Sequence, residues 1–154
     1  MNWLERLKRA SSWTAQEWRL FAEAWMALLV ARLAIRRWQM GQILEHLQGM
    51  ARSHDERVRP HERGQQPHEP VVRAVQRATH LHIVPMLCLP QSVATSWMLA
   101  RRGITCEFVI GARPKEGELD AHAWVERAGV PINSPLDSAQ RHPVFLREPI
   151  LASS

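Results

Sequence analysis

Apolar residues recur at helical spacing through the amino-terminal part of the chain. Between residues 14 and 38 the large apolar side chains follow one another at steps of three and four, which places them on one helical face: Trp18, Phe21, Trp25, Leu28 and Leu29. A second, shorter helix is predicted over residues 42–50. We expect most of the apolar face of the first helix to cover a domain core. The alternative is a helix that lies on a membrane surface.

Two further helices are predicted in the second half of the chain. One spans residues 70–81 and the other residues 90–102. In the second of these helices Pro90 suits the first turn, and Gly103 suits the position that follows the last turn. Both ends of this helix are therefore marked in the sequence.

Strand patterns follow these helices. Alternation of apolar and polar residues predicts three strands, with a charged loop over residues 113–120 and a turn at residues 128–129; the strands span 105–111, 121–127 and 130–133. Helices first, and then a helix followed by consecutive strands, indicate an α+β fold with a small antiparallel sheet.

Residues 51–70 differ in composition from the segments on either side. They carry many charges of both signs and almost no large apolar side chain, so they bury too little surface to offset the entropy of ordering. We interpret them as a flexible polar linker or loop between a helical region, 1–50, and a core, 71–154, within one compact domain. The segment contains three histidines spaced by seven, which could suggest a metal site: His54, His61 and His68. Because no cysteine or carboxylate pattern supports such a site, we predict no metal.

Charge and cysteine content narrow the classes of function. The 154 residues carry a net charge of +5, with an isoelectric point near 10.5. The arginines are scattered and no nucleic-acid-binding motif is present, so we do not expect nucleic acid as a partner. Two cysteines are too few for a disulfide scaffold. The first residues lack the features of a signal peptide, and residues 21–35 are interrupted by charges, so we expect a soluble, cytoplasmic protein.

One cysteine and one histidine are candidates for chemistry. Cys88 stands at the entrance of the helix over 90–102, where backbone N–H groups and the helix dipole favour an anion such as a thiolate. Cys106 lies in a predicted strand in phase with Phe108, so we interpret it as a core residue. His122 lies on the next predicted strand and could serve as the base that a nucleophilic cysteine needs.

Short motifs around these residues occur together in a connected order. Cys-Leu-Pro-Gln-Ser at 88–92 opens a helix that ends in Arg-Arg-Gly, a strand closes in Ile-Gly-Ala-Arg at 110–113, and His-Ala-Trp-Val-Glu follows at 122–126. Over roughly residues 70–146 the chain resembles the stand-alone leader peptidases of lasso-peptide gene clusters, in the transglutaminase-like cysteine protease superfamily. The resemblance implies a transglutaminase/papain-like core.

The resemblance also implies roles for residues. Cys88 would attack the scissile carbonyl and form a thioester, and His122 would accept the thiol proton and later protonate the leaving amine. An acidic or amide side chain would orient the histidine. Asn133, Ser134 and Asp137 are within reach of it; we favour Asp137, with Asn133 as the alternative. No cofactor is implied.

The same resemblance implies partners. The substrate would be the leader region of a ribosomally made precursor, and a separate ATP-dependent cyclase would close the freed core into a macrolactam. Since no β-rich leader-binding module precedes the peptidase region, we expect a separate leader-recognition protein. Two alternatives remain open: an acyltransferase or amidase that uses the same cysteine and histidine, and a non-catalytic scaffold that presents the precursor to the cyclase.

Overall fold

A computed structural model of the chain describes residues 13–55 and 67–150. The described residues form five helices and one four-stranded sheet, in the order α1 (Ala15–Arg37), α2 (Met40–Asp55), α3 (Glu69–Leu81), α4 (Cys88–Ala100), β1 (Cys106–Lys115), β2 (Glu118–Arg127), β3 (Val130–Pro131), α5 (Ser138–Arg141) and β4 (Val144–Ile150). The strand order is β3-β2-β1-β4, and every pairing is antiparallel. The predicted α+β fold with a small antiparallel sheet is confirmed.

Helix α1 is the predicted amino-terminal helix, and a capping box fixes its start. The hydroxyl of Thr14 accepts a hydrogen bond from the backbone N–H of Glu17 at 3.2 Å, and the Glu17 carboxylate accepts one from the backbone N–H of Thr14 at 2.9 Å. The buried face of α1 consists mostly of small side chains: Ala24, Ala27, Leu28 and Ala31. Trp18, predicted on the apolar stripe, is 46% exposed, whereas Phe21 and Trp25 of the same stripe are partly buried against the core.

The ends of the predicted polar linker are helical. Helix α2 continues to Asp55, and α3 begins at Glu69. Residues 56–66, which include His61, lie outside the described residues, and of His54 only the backbone in α2 is described. In the two described ranges, no helix combines the length and the apolar character needed to cross a bilayer.

The predicted loop over residues 113–120 is wrong. Strands β1 and β2 continue through this region and pair as far as Lys115 and Glu118. The turn between them consists of Glu116 and Gly117, with φ angles of 51° and 86°. Positive φ at both central positions is the geometry of a tight two-residue hairpin, so the strands need no loop.

Helix α4 packs against α1, α2 and α3 and also against strands β1 and β2 of the sheet. Its buried residues, among them Val93 and Met98, belong to the same core cluster as Phe108, Ala123 and Val125 of the sheet. After α4, Gly103 has a φ of 64° and the backbone N–H of the following residue bonds to the carbonyl of Leu99 at 3.1 Å, which ends the helix as the sequence predicts. The predicted 90–102 helix is therefore shifted to 88–100.

The chain between β3 and β4 crosses the opposite face of the sheet. There the backbone of His142 lies so close to Gly111 that a Cβ atom on this glycine would be 2.3 Å from the His142 carbonyl oxygen. Gly111 pairs with His122 across β1 and β2. The absence of a side chain at Gly111 thus allows the returning chain to approach the strand that carries His122.

Candidate active site

Cys88 is the first residue of α4. It is partly exposed, and the start of the helix has no side-chain cap, so the backbone N–H groups of the first turn are available to a negative charge. Cys106, in contrast, is 3% exposed, and burial raises the pKa of its thiol to about 12. Of the two thiols, Cys88 is the accessible one, and its position at a helix start favours a thiolate.

His122 lies near the middle of β2 and is partly buried. Its ring is stacked on that of Trp124, with centroids 5.7 Å apart and planes inclined by 22°. Its Nε2 atom is 2.7 Å from the hydroxyl oxygen of Ser134. Desolvation lowers the pKa of His122, and positive charge on His142 and Arg141 lowers it further, while Asp120 opposes the shift. The imidazole therefore favours its neutral form, which is the form that can accept a proton.

A set of buried hydrogen bonds joins α4 to the strand that carries His122. The hydroxyl of Ser92 donates to the carbonyl of Ala123 at 2.9 Å, and the side-chain amide of Asn133 donates to the Ser92 oxygen at 3.2 Å. Because Cys88 is one turn before Ser92 and His122 immediately precedes Ala123, this contact holds the first turn of α4 beside the segment of β2 that carries the histidine.

The two predicted orienting residues have other partners in the structure. Asn133 accepts a hydrogen bond from the backbone N–H of Val125 at 2.8 Å and donates to Ser92, so its amide joins β2 to α4. The carboxylate of Asp137 pairs with Arg141 at 2.9 Å on an exposed surface. The group that contacts the His122 ring is Ser134. The orienting role of Asp137 or Asn133 stays a prediction.

The carboxylate of Asp120 lies on the same face of β2 as His122. Asp120 accepts a hydrogen bond from Arg113 at 2.9 Å and lies 3.3 Å from Nε2 of His142, whose ring centroid is 5.2 Å from that of His122. The hydrogen bond from Arg113 is the main reason that the pKa of Asp120 is lowered. Sequence reasoning missed this group because it assigned Asp120 to a loop; a spacing of two residues before His122 on one strand would have indicated a shared face.

The described residues contain no cluster of side chains suited to bind a metal ion. Among them, no three side chains of His, Cys, Asp or Glu converge on one point. His68, the described member of the spaced histidines, lies at the start of α3, where its Nδ1 atom is 3.0 Å from a guanidinium nitrogen of Arg127. A cationic neighbour of this kind disfavours a bound metal ion.

Comparison with known protein families gives one match. The sequence model described as "Transglutaminase-like superfamily" matches residues 27–146, which is well over half of the chain and includes both Cys88 and His122. Comparisons with curated proteins and with solved structures gave no match.

Proposed function

We propose, since this chain belongs to the transglutaminase-like superfamily of cysteine peptidases and acyltransferases, that it is a cysteine peptidase which removes the leader from a lasso-peptide precursor. The observation that carries the proposal is the position of Cys88 at the start of α4, held beside the His122 strand through Ser92. The family match supports thioester chemistry, and the motif resemblance over 70–146 supports the choice of substrate.

In the first half of the reaction His122 accepts the thiol proton of Cys88, and the thiolate attacks the scissile carbonyl carbon. The negative charge that develops on the carbonyl oxygen is stabilised by N–H groups at the start of α4. Collapse of this intermediate breaks the C–N bond. The protonated His122 gives its proton to the leaving amine, which departs with the core peptide, and the leader remains as a thioester on Cys88.

In the second half water replaces the amine. His122 accepts a proton from water, the hydroxide attacks the thioester carbon, and the C–S bond breaks. The leader leaves as a carboxylic acid, and the proton returns to the sulfur of Cys88. If an amine replaced water in this step the product would be an amide, which is the acyltransferase alternative.

The surface next to Cys88 supports a peptide substrate. Leu87, which directly precedes Cys88, is a large apolar residue and is 71% exposed. An exposed apolar side chain beside a nucleophile suits an apolar side chain of an extended peptide. Leader recognition itself we assign to a separate protein.

Helix α1 supports such a partner. Met26, Val30 and Leu33 follow at helical spacing and are 53%, 54% and 52% exposed. They form an apolar stripe on the outer side of α1, which fits a contact with the leader-recognition protein. Adding that protein should raise kcat/KM for the full-length precursor at least about tenfold, a coupling of about 1.4 kcal/mol. Full activity and tight leader binding by the isolated chain would argue against a separate recognition protein.

The nucleophile is tested with a matched pair of variants. Cys88→Ala and Cys88→Ser should abolish leader removal and leave the fold intact, whereas Cys106→Ala should keep activity and lose some stability. Mass spectrometry of the released leader distinguishes a carboxylic acid from an amide. Cleavage by Cys88→Ala would refute the peptidase mechanism. If the cyclase forms as much cyclised product with Cys88→Ala as with the unaltered protein, the non-catalytic scaffold is favoured.

A further inference from the structure

A chain of hydrogen bonds extends from the His122 ring into the protein. Nε2 of His122 is 2.7 Å from Oγ of Ser134, and this oxygen is 2.6 Å from Oγ of Ser138. The Ser138 hydroxyl in turn bonds to the backbone carbonyl of Pro135 at 2.6 Å. Ser138 is fully buried, so water does not compete for its single proton.

The direction of each bond in this chain follows from its last member. The carbonyl of Pro135 can only accept, so the proton of Ser138 points to it. The Ser138 oxygen must then accept from Ser134, because its own proton is already used. With its proton directed at Ser138, the Ser134 oxygen can only accept from the imidazole. Nε2 of His122 therefore carries the proton, and Nδ1 carries the free lone pair.

We propose that Ser134, backed by Ser138, is the positioning residue of this site: it holds His122 in the Nε2–H tautomer and leaves Nδ1 to accept the proton of Cys88. This inference rests on the proposed function only for the identity of the proton donor. The donor and acceptor of each hydrogen bond in this series are the same before and after proton transfer, since the imidazolium keeps its Nε2–H directed at Ser134. The network therefore does not reorganise during the reaction.

A hydroxyl differs from a carboxylate in this position because it orients the ring without adding a negative charge. The charged and titratable groups around His122 are His142, Arg141 and Asp120. Arg141 is cationic and His142 is cationic when protonated, and the carboxylate of Asp120 is already bonded to Arg113 and His142. An imidazolium at His122 is thus stabilised less than it would be beside a free carboxylate.

The tautomer is measured directly by NMR. Long-range proton–nitrogen correlation spectra of the ¹⁵N-labelled full chain, recorded at a pH where His122 is neutral, should show Nε2 protonated. In Ser138→Ala the proton of Ser134 loses its acceptor and becomes available to the ring, so the population should shift towards the Nδ1–H form. An Nδ1–H tautomer in the unaltered protein would overturn the proposal. A ratio of the two tautomers that Ser138→Ala leaves unchanged would also overturn it, and neither result depends on measuring activity.

Kinetics supply the second readout. Ser134→Ala should lower kcat by up to about 10²-fold with little change in KM, because substrate binding is intact but the ring is misplaced. Ser134→Thr, which keeps the hydroxyl, should restore most of the rate. Asp137→Ala should cost less than Ser134→Ala, and the reverse order would overturn the proposal. Cleavage by Cys88→Ala would instead refute the peptidase mechanism and leave the tautomer assignment standing, so the two failures are distinguishable.

Discussion

The contact between α4 and β2 can be tested by removing one hydroxyl. Ser92 is fully buried, donates to the carbonyl of Ala123 at 2.9 Å and accepts from the amide of Asn133 at 3.2 Å. Ser92→Ala deletes both bonds and changes the volume of the side chain by only an oxygen atom. Any loss of stability therefore comes from hydrogen bonding rather than from a large cavity.

The magnitude follows from the groups that the substitution leaves behind. A buried acceptor or donor that loses its partner costs about 1–3 kcal/mol. The Ala123 carbonyl belongs to a buried residue, so it bears most of this penalty, whereas Asn133 is partly exposed and regains some solvation. We expect Ser92→Ala to lower the free energy of unfolding by about 1–3 kcal/mol.

The same helix offers a matched control. Ser96 is one turn further along α4 and is equally buried, but its hydroxyl finds no oxygen or nitrogen partner among the described residues and has the weakly bonding thiol of Cys106 beside it. Ser96→Ala should therefore leave the free energy of unfolding nearly unchanged or raise it slightly. The two substitutions are identical in chemistry and burial and differ only in the bonds that they remove.

Urea unfolding followed by tryptophan fluorescence measures both variants. Trp124 is fully buried next to the contact and should report its loss. Equal m-values would show that the comparison concerns stability alone. We also expect Ser92→Ala to lower kcat/KM, since Cys88 is one turn away and the Ser92 contact holds that turn beside the strand that carries His122. If Ser92→Ala and Ser96→Ala differ by less than about 0.5 kcal/mol, the contact does not hold the two elements together.

Two further predictions concern the histidine strand and its surroundings. Gly111→Ala should destabilise the protein by about 1–3 kcal/mol and lower activity, because its Cβ would meet a backbone carbonyl at 2.3 Å. Gly49→Ala in α2, where a Cβ meets nothing within 4 Å, should be neutral or stabilising in the same urea unfolding assay. Because the pKa of His122 is lowered from 6.5, the acid limb of kcat/KM should lie below pH 6.5. Because the pKa of His122 is lower in the folded state, the stability that this group contributes is fully present above pH 6.5 and is lost as the pH falls through the folded-state pKa. An acid limb of kcat/KM above pH 6.5 would contradict the role of His122 as the base.

Much of the fold could be predicted because its elements have strong local signals. The amphipathic pattern over 14–38 and the glycine at 103 mark the ends of α1 and α4 closely. Strand β4 and helix α5 were not predicted. The first alternates only weakly and contains Pro149, and the second is a single turn whose place depends on the chain crossing the sheet. Such elements owe their position to tertiary contacts rather than to local pattern.

The site divides in the same way. Cys88 and His122 could be proposed from a helix start and a strand motif, which are local features. The residue that hydrogen-bonds to the imidazole could not be predicted. Asn133, Ser134 and Asp137 lie within five positions, and the directions of their side chains depend on where β3 ends. The strand stops at Pro131, two residues earlier than predicted, so Asn133 turns towards β2 and Ser134 reaches the ring.

The electrostatic setting of His122 has opposite consequences for two successive steps in the first half of the proposed reaction, the uptake of the thiol proton and its donation to the leaving amine. A lowered pKa makes the imidazole a weaker base towards the thiol of Cys88, and it makes the imidazolium a stronger acid towards the leaving amine. The start of α4 offsets the first effect, because its N–H groups favour the thiolate that the proton leaves behind. Amines are poor leaving groups unless they are protonated, so the second effect acts on the step that most needs an acid. A neutral hydroxyl at Ser134 preserves this acidity, whereas a carboxylate there would stabilise the imidazolium and hold the proton back.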